Sequence, residues 1–151
     1  MDNNAIVPGF DSEKDDSLTI TLRKAEKVNR GLFVYLSGYI DTYNSIFFQK
    51  QITKAIEAGF VNLIFNCSSL SYVSSTGIGS FTVFLKILKP KGGDIVLLEI
   101  QPKVYEVFQL LGFANFFTIH DIDTTCRILY TTTLQIIVNT VFSVLLRILN
   151  R

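Results

Sequence analysis

The sequence predicts one α/β domain built around a mixed or mainly parallel sheet. Short runs of β-branched and aromatic residues alternate, after residue 40, with amphipathic stretches of helical length, a pattern typical of β-α units. Apolar residues make up 48% of the 151 residues and charged residues 18%, which is enough apolar material for a single core. We found no internal repeat that would indicate a solenoid.

The predicted strands are short apolar runs bounded by turn residues. The first, SLTITL, alternates apolar and polar residues, which is typical of a half-buried strand. In chain order the predicted strands are residues 17–22, 32–36 with a continuation at 39–40, 61–65, 95–98 and 116–119.

The predicted helices lie between these strands and have apolar residues at helical spacing. Asp41 and Thr42 are candidate N-caps for the first helix because short oxygen side chains accept from the free amides of a first turn. In chain order the helices run from Asp41 to a C-cap at Gly59, over residues 77–88, from near Pro102 to a stop at Gly112, and onward from Asp121.

Several classes of function find no support in the sequence. A formal net charge of +1 provides no field that would recruit nucleic acid. Cys67 and Cys126 form no CxxC pair, and His120 has no assignable catalytic partner. We therefore expect no metal, no cofactor and no enzymatic activity. The acidic, polar residues 1–16 lack an apolar signal core, and we expect a flexible N-terminal arm.

One stretch stands out, because Ser74, Ser75 and Thr76 directly precede Gly77-Ile78-Gly79 at a predicted strand–helix junction. In one interpretation, Ser74 or Ser75 is the N-cap of the helix. In the other, a hydroxyl here accepts a phosphate, which would meet free amides and the positive end of the helix dipole. The two interpretations are compatible.

The sequence around this stretch resembles STAS domains, in particular the bacterial anti-sigma factor antagonists. Four segments carry the resemblance in order, within residues 17–129. They are LSYVSSTGIG at 70–79, LSGYID at 36–41, KGGDIVL at 91–97 and VFQLLGF at 107–113. The resemblance implies a mixed sheet of four to five strands with helices packed mainly on one side.

The resemblance also implies a regulated binding protein. Ser75 matches the serine that a partner kinase phosphorylates, and the partner surface would comprise Asp41, Ser74, Ser75, Thr76, Gly77 and Ile78. The unmodified form would bind an anti-sigma factor that is also a serine-protein kinase, releasing a sigma factor. Phosphorylation would end the interaction and a phosphatase would restore it. Such a regulator acts in the cytoplasm and controls transcription through protein partners, without contacting nucleic acid.

Two departures from the family pattern make the site less acidic. Ser74 stands where the family usually has Asp, and Tyr39 where it has Glu. They leave open an altered recognition by the kinase, or a chain that is not phosphorylated at all. The missing Asp and the apolar C-terminal residues also leave open a second class of function, in which a STAS subunit of a membrane transporter, for example one for lipids, supports assembly of the complex.

An apolar extension, residues 130–151, follows the predicted domain. Within it, residues 134–149 are too few for a membrane span, which needs roughly 20 apolar residues. Four polar residues recur at every fourth position and form one helical stripe: Gln135, Asn139, Ser143 and Arg147. We expect an extra helix that packs on the domain, on a second copy, or on the inner face of a membrane.

Overall fold

The computed structural model of the chain describes residues 2–120 and has a five-stranded sheet within that range. The strands are β1 (Leu18–Ala25), β2 (Gly31–Ile40), β3 (Asn62–Val73), β4 (Asp94–Leu98) and β5 (Thr118–His120). The α-helices are α1 (Asn3–Ile6), α2 (Ser45–Glu57), α3 (Ser75–Leu88) and α4 (Pro102–Leu110). Short 3-10 turns lie at Phe10–Ser12, Lys89–Lys91 and Ala114–Phe116.

The strands lie side by side in chain order, β1-β2-β3-β4-β5. β1 pairs antiparallel with β2, and the remaining neighbours are parallel. This confirms the predicted mixed sheet. Because the parallel strands advance in one direction and their crossovers are right-handed as a rule, α2, α3 and α4 lie on the same face.

A cluster of phenylalanines fills the space between this face and the helices. Phe48 of α2, Phe65 of β3 and Phe81 of α3 are all fully buried. The Phe81 ring lies edge-on to both others, with centroids 5.0 Å from Phe65 and 5.2 Å from Phe48. Edge-to-face pairs of this kind add about 0.5–1.5 kcal/mol each to the burial itself. The cluster therefore fixes how α2 and α3 sit on the sheet.

The N-terminal segment corrects our expectation of a flexible arm for residues 1–16. Val7 and Phe10 are buried in the core. The side chain of Asn3 in α1 donates to Ile20 O (2.8 Å) and accepts from Leu22 N (2.8 Å). These two backbone groups lie on the edge of β1 that pairs with no other strand. The N-terminal segment therefore provides hydrogen-bond partners for an edge that would otherwise be open.

β2 and β3 are longer than the sequence predicts. β2 passes through Gly38 without a break, and β3 continues eight residues beyond the predicted end at position 65, to Val73. Gly38 has φ +114°, and a Cβ there would lie 2.0 Å from Ser17 O. Glycine is therefore required for the close approach of β1 and does not mark a strand end. The extra length carries both strands to the functional site.

Two predicted features lie outside the described residues: the helix starting at Asp121 and the apolar extension 130–151. Within residues 2–120, none of the helices combines the length and the apolarity that a membrane crossing requires.

Candidate functional site

The ends of β2 and β3 form the site, because their last residues are paired in register. Ile40 lies opposite Val73, and the amide of Ser74 donates to Ile40 O at 2.8 Å. Asp41 follows one strand, and the hydroxyl run at residues 74–76 follows the other. The structure therefore brings together two segments that are more than thirty positions apart in the sequence.

Ser74 is the N-cap of α3. Its backbone is extended (φ −75°, ψ 167°) and its side chain accepts a hydrogen bond from Gly77 N. Its carbonyl accepts from Ile78 N at 3.0 Å. The side chain is buried, because it is turned inward toward the helix it caps. Ser74 therefore has a structural role that uses its hydroxyl oxygen.

Ser75 and Thr76 are exposed and occupy the first turn of α3. The amides of this turn carry the partial positive charge of the helix terminus. Because their side chains are exposed, Ser75 and Thr76 are the two of the three hydroxyl residues that are accessible to another protein. A phosphate on Ser75 would be placed at a helix terminus that favours negative charge.

Asp41 holds the turn that leads into α2. Its carboxylate accepts from Tyr43 N (2.8 Å) and Asn44 N (2.9 Å). The prediction that Asp41 or Thr42 occupies the N-cap position is wrong, because α2 begins at Ser45 and is preceded by Asn44, which makes no side-chain hydrogen bond to the helix. The contacts predicted for Asp41 are nevertheless made, to the amides of the turn that leads into α2. Asp41 is half-buried and lies beside the hydroxyl run, where the register of β2 and β3 places it.

Asn44 is a supporting residue that sequence reasoning missed. Its side chain is buried; it donates to Tyr39 O (2.9 Å) and Ser17 Oγ (2.8 Å) and accepts from Asp41 N (2.9 Å). Ser17 in turn donates to the carboxylate of Asp15, and this bond lowers the pKa of Asp15. The network ties the start of β1 to the turn that carries Asp41. The only sign of Asn44 in the sequence is that it is a polar residue three positions after Asp41.

Gly77 and Ile78 support the site from beneath. A Cβ at position 77 would lie 2.7 Å from Ile40 Cγ2 and 2.8 Å from Val73 Cγ1, so only glycine lets α3 approach both strand ends. Ile78 is fully buried. Ser74, Gly77 and Ile78, which we predicted to contact a partner, are buried beneath the exposed Ser75 and Thr76. Their contact with a partner stays a prediction.

Exposed large side chains also occur at the ends of β2 and β3 and at the start of α2. Tyr39 and Tyr72 are opposite each other on β2 and β3 and are 41% and 52% exposed. Tyr43 and Ile46 follow Asp41 and are 93% and 67% exposed. We call these four residues the aromatic rim. Exposed aromatic side chains grouped in this way are typical of protein interaction surfaces.

The described residues offer little chemistry for catalysis. No group of three or more potential metal ligands occurs in residues 2–120. Cys67 is buried, and burial raises the pKa of its thiol to about 12. A thiol with that pKa is protonated at neutral pH and is a poor nucleophile.

The mixed sheet in chain order and the capped helix after β3 agree with the fold that the resemblance to STAS domains implies. The sequence profile of the STAS domain family matches residues 20–125. The chain therefore belongs to the STAS domain family.

Two curated relatives are named as antagonists of anti-sigma factors. BtrV of Bordetella bronchiseptica, whose name carries this assignment provisionally, is 27% identical over 94 residues, or 62% of this chain and 81% of BtrV. The anti-sigma F factor antagonist of Paenibacillus polymyxa is 25% identical over 91 residues, or 60% of this chain and 78% of the relative.

The fold is also shared with the solved structure of the anti-sigma factor antagonist SpoIIAA in its unphosphorylated form. The TM-score is 0.60 at 23% identity, covering 72% of this chain and 94% of SpoIIAA. A second structure shows SpoIIAA in its phosphorylated form, with a TM-score of 0.54, 22% identity and 72% and 97% coverage. SpoIIAA therefore exists in both states.

Proposed function

We propose that this chain is an anti-sigma factor antagonist that is switched by phosphorylation of Ser75. Its unphosphorylated form binds an anti-sigma factor that is also a serine-protein kinase and so releases a sigma factor in the cytoplasm. The observation that carries the proposal is the division of roles at the start of α3. Ser74 caps the helix from a buried position, and Ser75 presents its hydroxyl outward.

The replacement of the family's usual Asp by Ser74 is compatible with this proposal. Serine and aspartate are about equally effective N-caps, so Ser74 supplies the oxygen that holds the helix terminus. The hydrogen bond from Gly77 N to Ser74 Oγ does this at 3.1 Å. Ser75 is held in position without the carboxylate.

Phosphorylation would oppose binding through charge and desolvation. A phosphoserine adds about two negative charges and three strong acceptors. Ser75 follows the strand that pairs with the one leading to Asp41, and the four residues of the aromatic rim include no cationic side chain. Burying a dianion against such a surface leaves its charge without partners, which is costly. The modified form therefore separates from its partner, and a phosphatase that removes the phosphate restores binding.

The aromatic rim defines what kind of partner surface is needed. Tyr39 replaces the family's usual Glu and turns a charged position into an amphipathic one. Tyrosines provide large contact areas with little loss of side-chain entropy and are frequent in energetically important contacts. The partner is therefore expected to present apolar and hydrogen-bonding groups to Tyr39 and Tyr72.

The test is a binding measurement with matched variants. The full chain is used as bait in extracts of the cells in which it is native, and the purified partner is then titrated with Ser75→Asp, Ser75→Ala and Gln109→Glu. Gln109→Glu adds one negative charge at an exposed position on α4 and serves as the control. We expect Ser75→Asp to weaken binding by about tenfold or more, since an unpaired buried charge costs at least that much. Equal affinities of Ser75→Asp and the control would refute the switch.

A second candidate function is a STAS subunit that supports the assembly of a membrane transporter. The observation that favours it is the apolar composition of residues 134–149, which lie outside the described residues. Fractionation of the full chain against a chain ending at residue 129 separates the two functions. Membrane recovery of the full chain alone would favour the transporter subunit, and recovery of both in the soluble fraction would favour the antagonist.

A further inference from the structure

Two helices begin at the site, and their first turns carry different parts of it. α2 begins at Ser45 and carries the exposed Ile46 of the aromatic rim. α3 begins at Ser75 and carries the exposed hydroxyl groups of Ser75 and Thr76. A partner that contacts both helix starts at once needs them at a constant separation. The contacts that hold α2 and α3 together near these starts therefore bear on recognition of Ser75.

Two hydrogen bonds join the helices about one turn beyond their starts. Gln49 Nε2 of α2 donates to Ser80 Oγ of α3 at 2.9 Å. Ser80 Oγ in turn donates to Thr76 O at 3.2 Å. We call these two bonds the α2–α3 link. The link runs from α2 to the backbone of the residue that follows Ser75 in the first turn of α3.

Ser80 is a polar residue at a fully buried position of α3. Burying a hydroxyl group is costly unless it is hydrogen-bonded, and alanine would form the helix without that cost. A serine hydroxyl has one proton to donate and two lone pairs with which to accept. The proton of Ser80 goes to Thr76 O, so a bond from α2 needs a donor there. Gln49 provides that donor through its side-chain amide.

Thr82 on the same helix makes only the first kind of bond. Its Oγ1 donates to Ile78 O, four residues earlier, at 3.4 Å. Hydroxyl side chains often bond to their own helix in this way. Among the described residues, Thr82 makes no hydrogen bond to α2. The donor from a second helix is therefore what distinguishes Ser80, and Thr82 provides a matched control.

We infer that Gln49 and Ser80 are positioning residues for Ser75 and Thr76. Through the α2–α3 link they hold the first turn of α3 at a constant place relative to α2, and so relative to the aromatic rim. Without the link, the cap at Ser74 remains, but the first turn is no longer tied to α2. The inference rests on the proposed function, in which Ser75 is the residue that a partner modifies.

The first test compares hydrogen exchange along α3 in the full chain. Ser80→Ala removes both bonds of the link and Gln49→Met removes the bond from α2, whereas Thr82→Val removes a hydroxyl group that bonds only within α3. Global destabilisation speeds exchange at all amides of the helix, so the rate at Ile78 is divided by the rate at Phe84. We expect Ser80→Ala and Gln49→Met to raise this ratio by about three- to tenfold, as for the loss of one hydrogen bond. The control should leave the ratio unchanged.

The second test measures the surroundings of a phosphate at position 75. Phosphoserine is incorporated there during translation, and phosphorus NMR follows its second pKa, which is ordinarily about 6. This pKa depends on the alignment of the first-turn amides with the phosphate. We expect Ser80→Ala and Gln49→Met to move the pKa of the folded chain toward that of the urea-denatured chain by about 0.2 unit or more. Thr82→Val should not move it.

An unchanged exchange ratio or an unchanged phosphate pKa in Gln49→Met would overturn the inference. This variant decides the question even if Ser80→Ala does not fold, because Gln49 is only half-buried. Equal changes in Thr82→Val would also overturn it, since they would assign the effect to hydroxyl bonds within α3. Because the phosphate is introduced during translation, neither test depends on modification of Ser75 in cells. The inference and the proposed function can therefore fail separately.

Discussion

At the scale of single residues, Ser74 and Ser75 have the same side chain but different surroundings at the start of α3. Ser74 is buried and accepts from Gly77 N, and Ser75 is exposed. From the sequence, the N-cap of α3 was predicted to be either Ser74 or Ser75. The sequence could not separate them, because the outcome depends on where the β3 backbone ends and the helix turn begins.

This difference predicts unequal costs of substitution. Ser74→Ala removes the cap and should lower the free energy of unfolding by about 1 kcal/mol. Ser75→Ala removes an exposed hydroxyl and should change it by no more than about 0.5 kcal/mol. Urea denaturation of both variants measures the difference. A larger loss of unfolding free energy for Ser75→Ala than for Ser74→Ala would show that Ser75, and not Ser74, caps α3.

The two glycines of the helix start provide a matched pair. Gly77→Ala should lower the free energy of unfolding by about 1–3 kcal/mol, because the new methyl group would overlap Ile40 and Val73. A Cβ at position 79 would have no neighbouring atom within 4 Å. Gly79→Ala should therefore raise the free energy of unfolding by up to about 1 kcal/mol, because alanine has the higher helix propensity. Equal effects of the two variants in thermal denaturation would contradict the account of close packing at position 77.

Cys67 predicts a dependence of stability on alkaline pH. Burial raises the pKa of its thiol to about 12, so the folded state favours the protonated form. The resulting stabilisation is complete below the unfolded pKa of about 8.5 and is lost as pH rises toward the folded value. In a Cys126→Ser background, iodoacetamide at pH 8 should modify Cys67 only after denaturant is added. Rapid modification of the folded protein would contradict its burial.

At the scale of elements, hydrophobic pattern predicted the type and order of all five strands, and of α2, α3 and α4. The lengths of β2 and β3 could not be predicted. A glycine such as Gly38 is typical of a strand end, and the serine-rich end of β3 is typical of a loop. Pairing with the neighbouring strands nevertheless extends β2 and β3 through these positions. Tertiary contacts override local propensity at such positions.

The N-terminal segment gives an element-scale prediction. Asn3→Ala should lower the free energy of unfolding by about 1–3 kcal/mol, because two groups on the edge of β1 lose a buried partner. Asn4→Ala is the control, since its side-chain bond to Asp11 N is exposed and should contribute less. Similar small losses for both variants would show that α1 contributes little to the edge.

At the scale of the whole molecule, the sequence indicated the exposed hydroxyl position and Asp41 through a family motif. It did not indicate the aromatic rim. Tyr39 and Tyr72 become neighbours only because β2 and β3 pair in a parallel register with two irregularities. Asn44 was missed for a related reason, since its three partners are Ser17 just before β1, Tyr39 of β2 and Asp41 of the turn. Residues that support a site from several elements leave no local pattern.

The central claim is that Ser75 is the residue that is modified. The most direct measurement is intact-mass and peptide mass spectrometry of the full chain taken from its native cells under several growth and stress conditions. The account predicts a phosphate on Ser75, since this hydroxyl is exposed at the terminus of α3. A phosphate on the buried Ser74, or no phosphate under any condition, would contradict it.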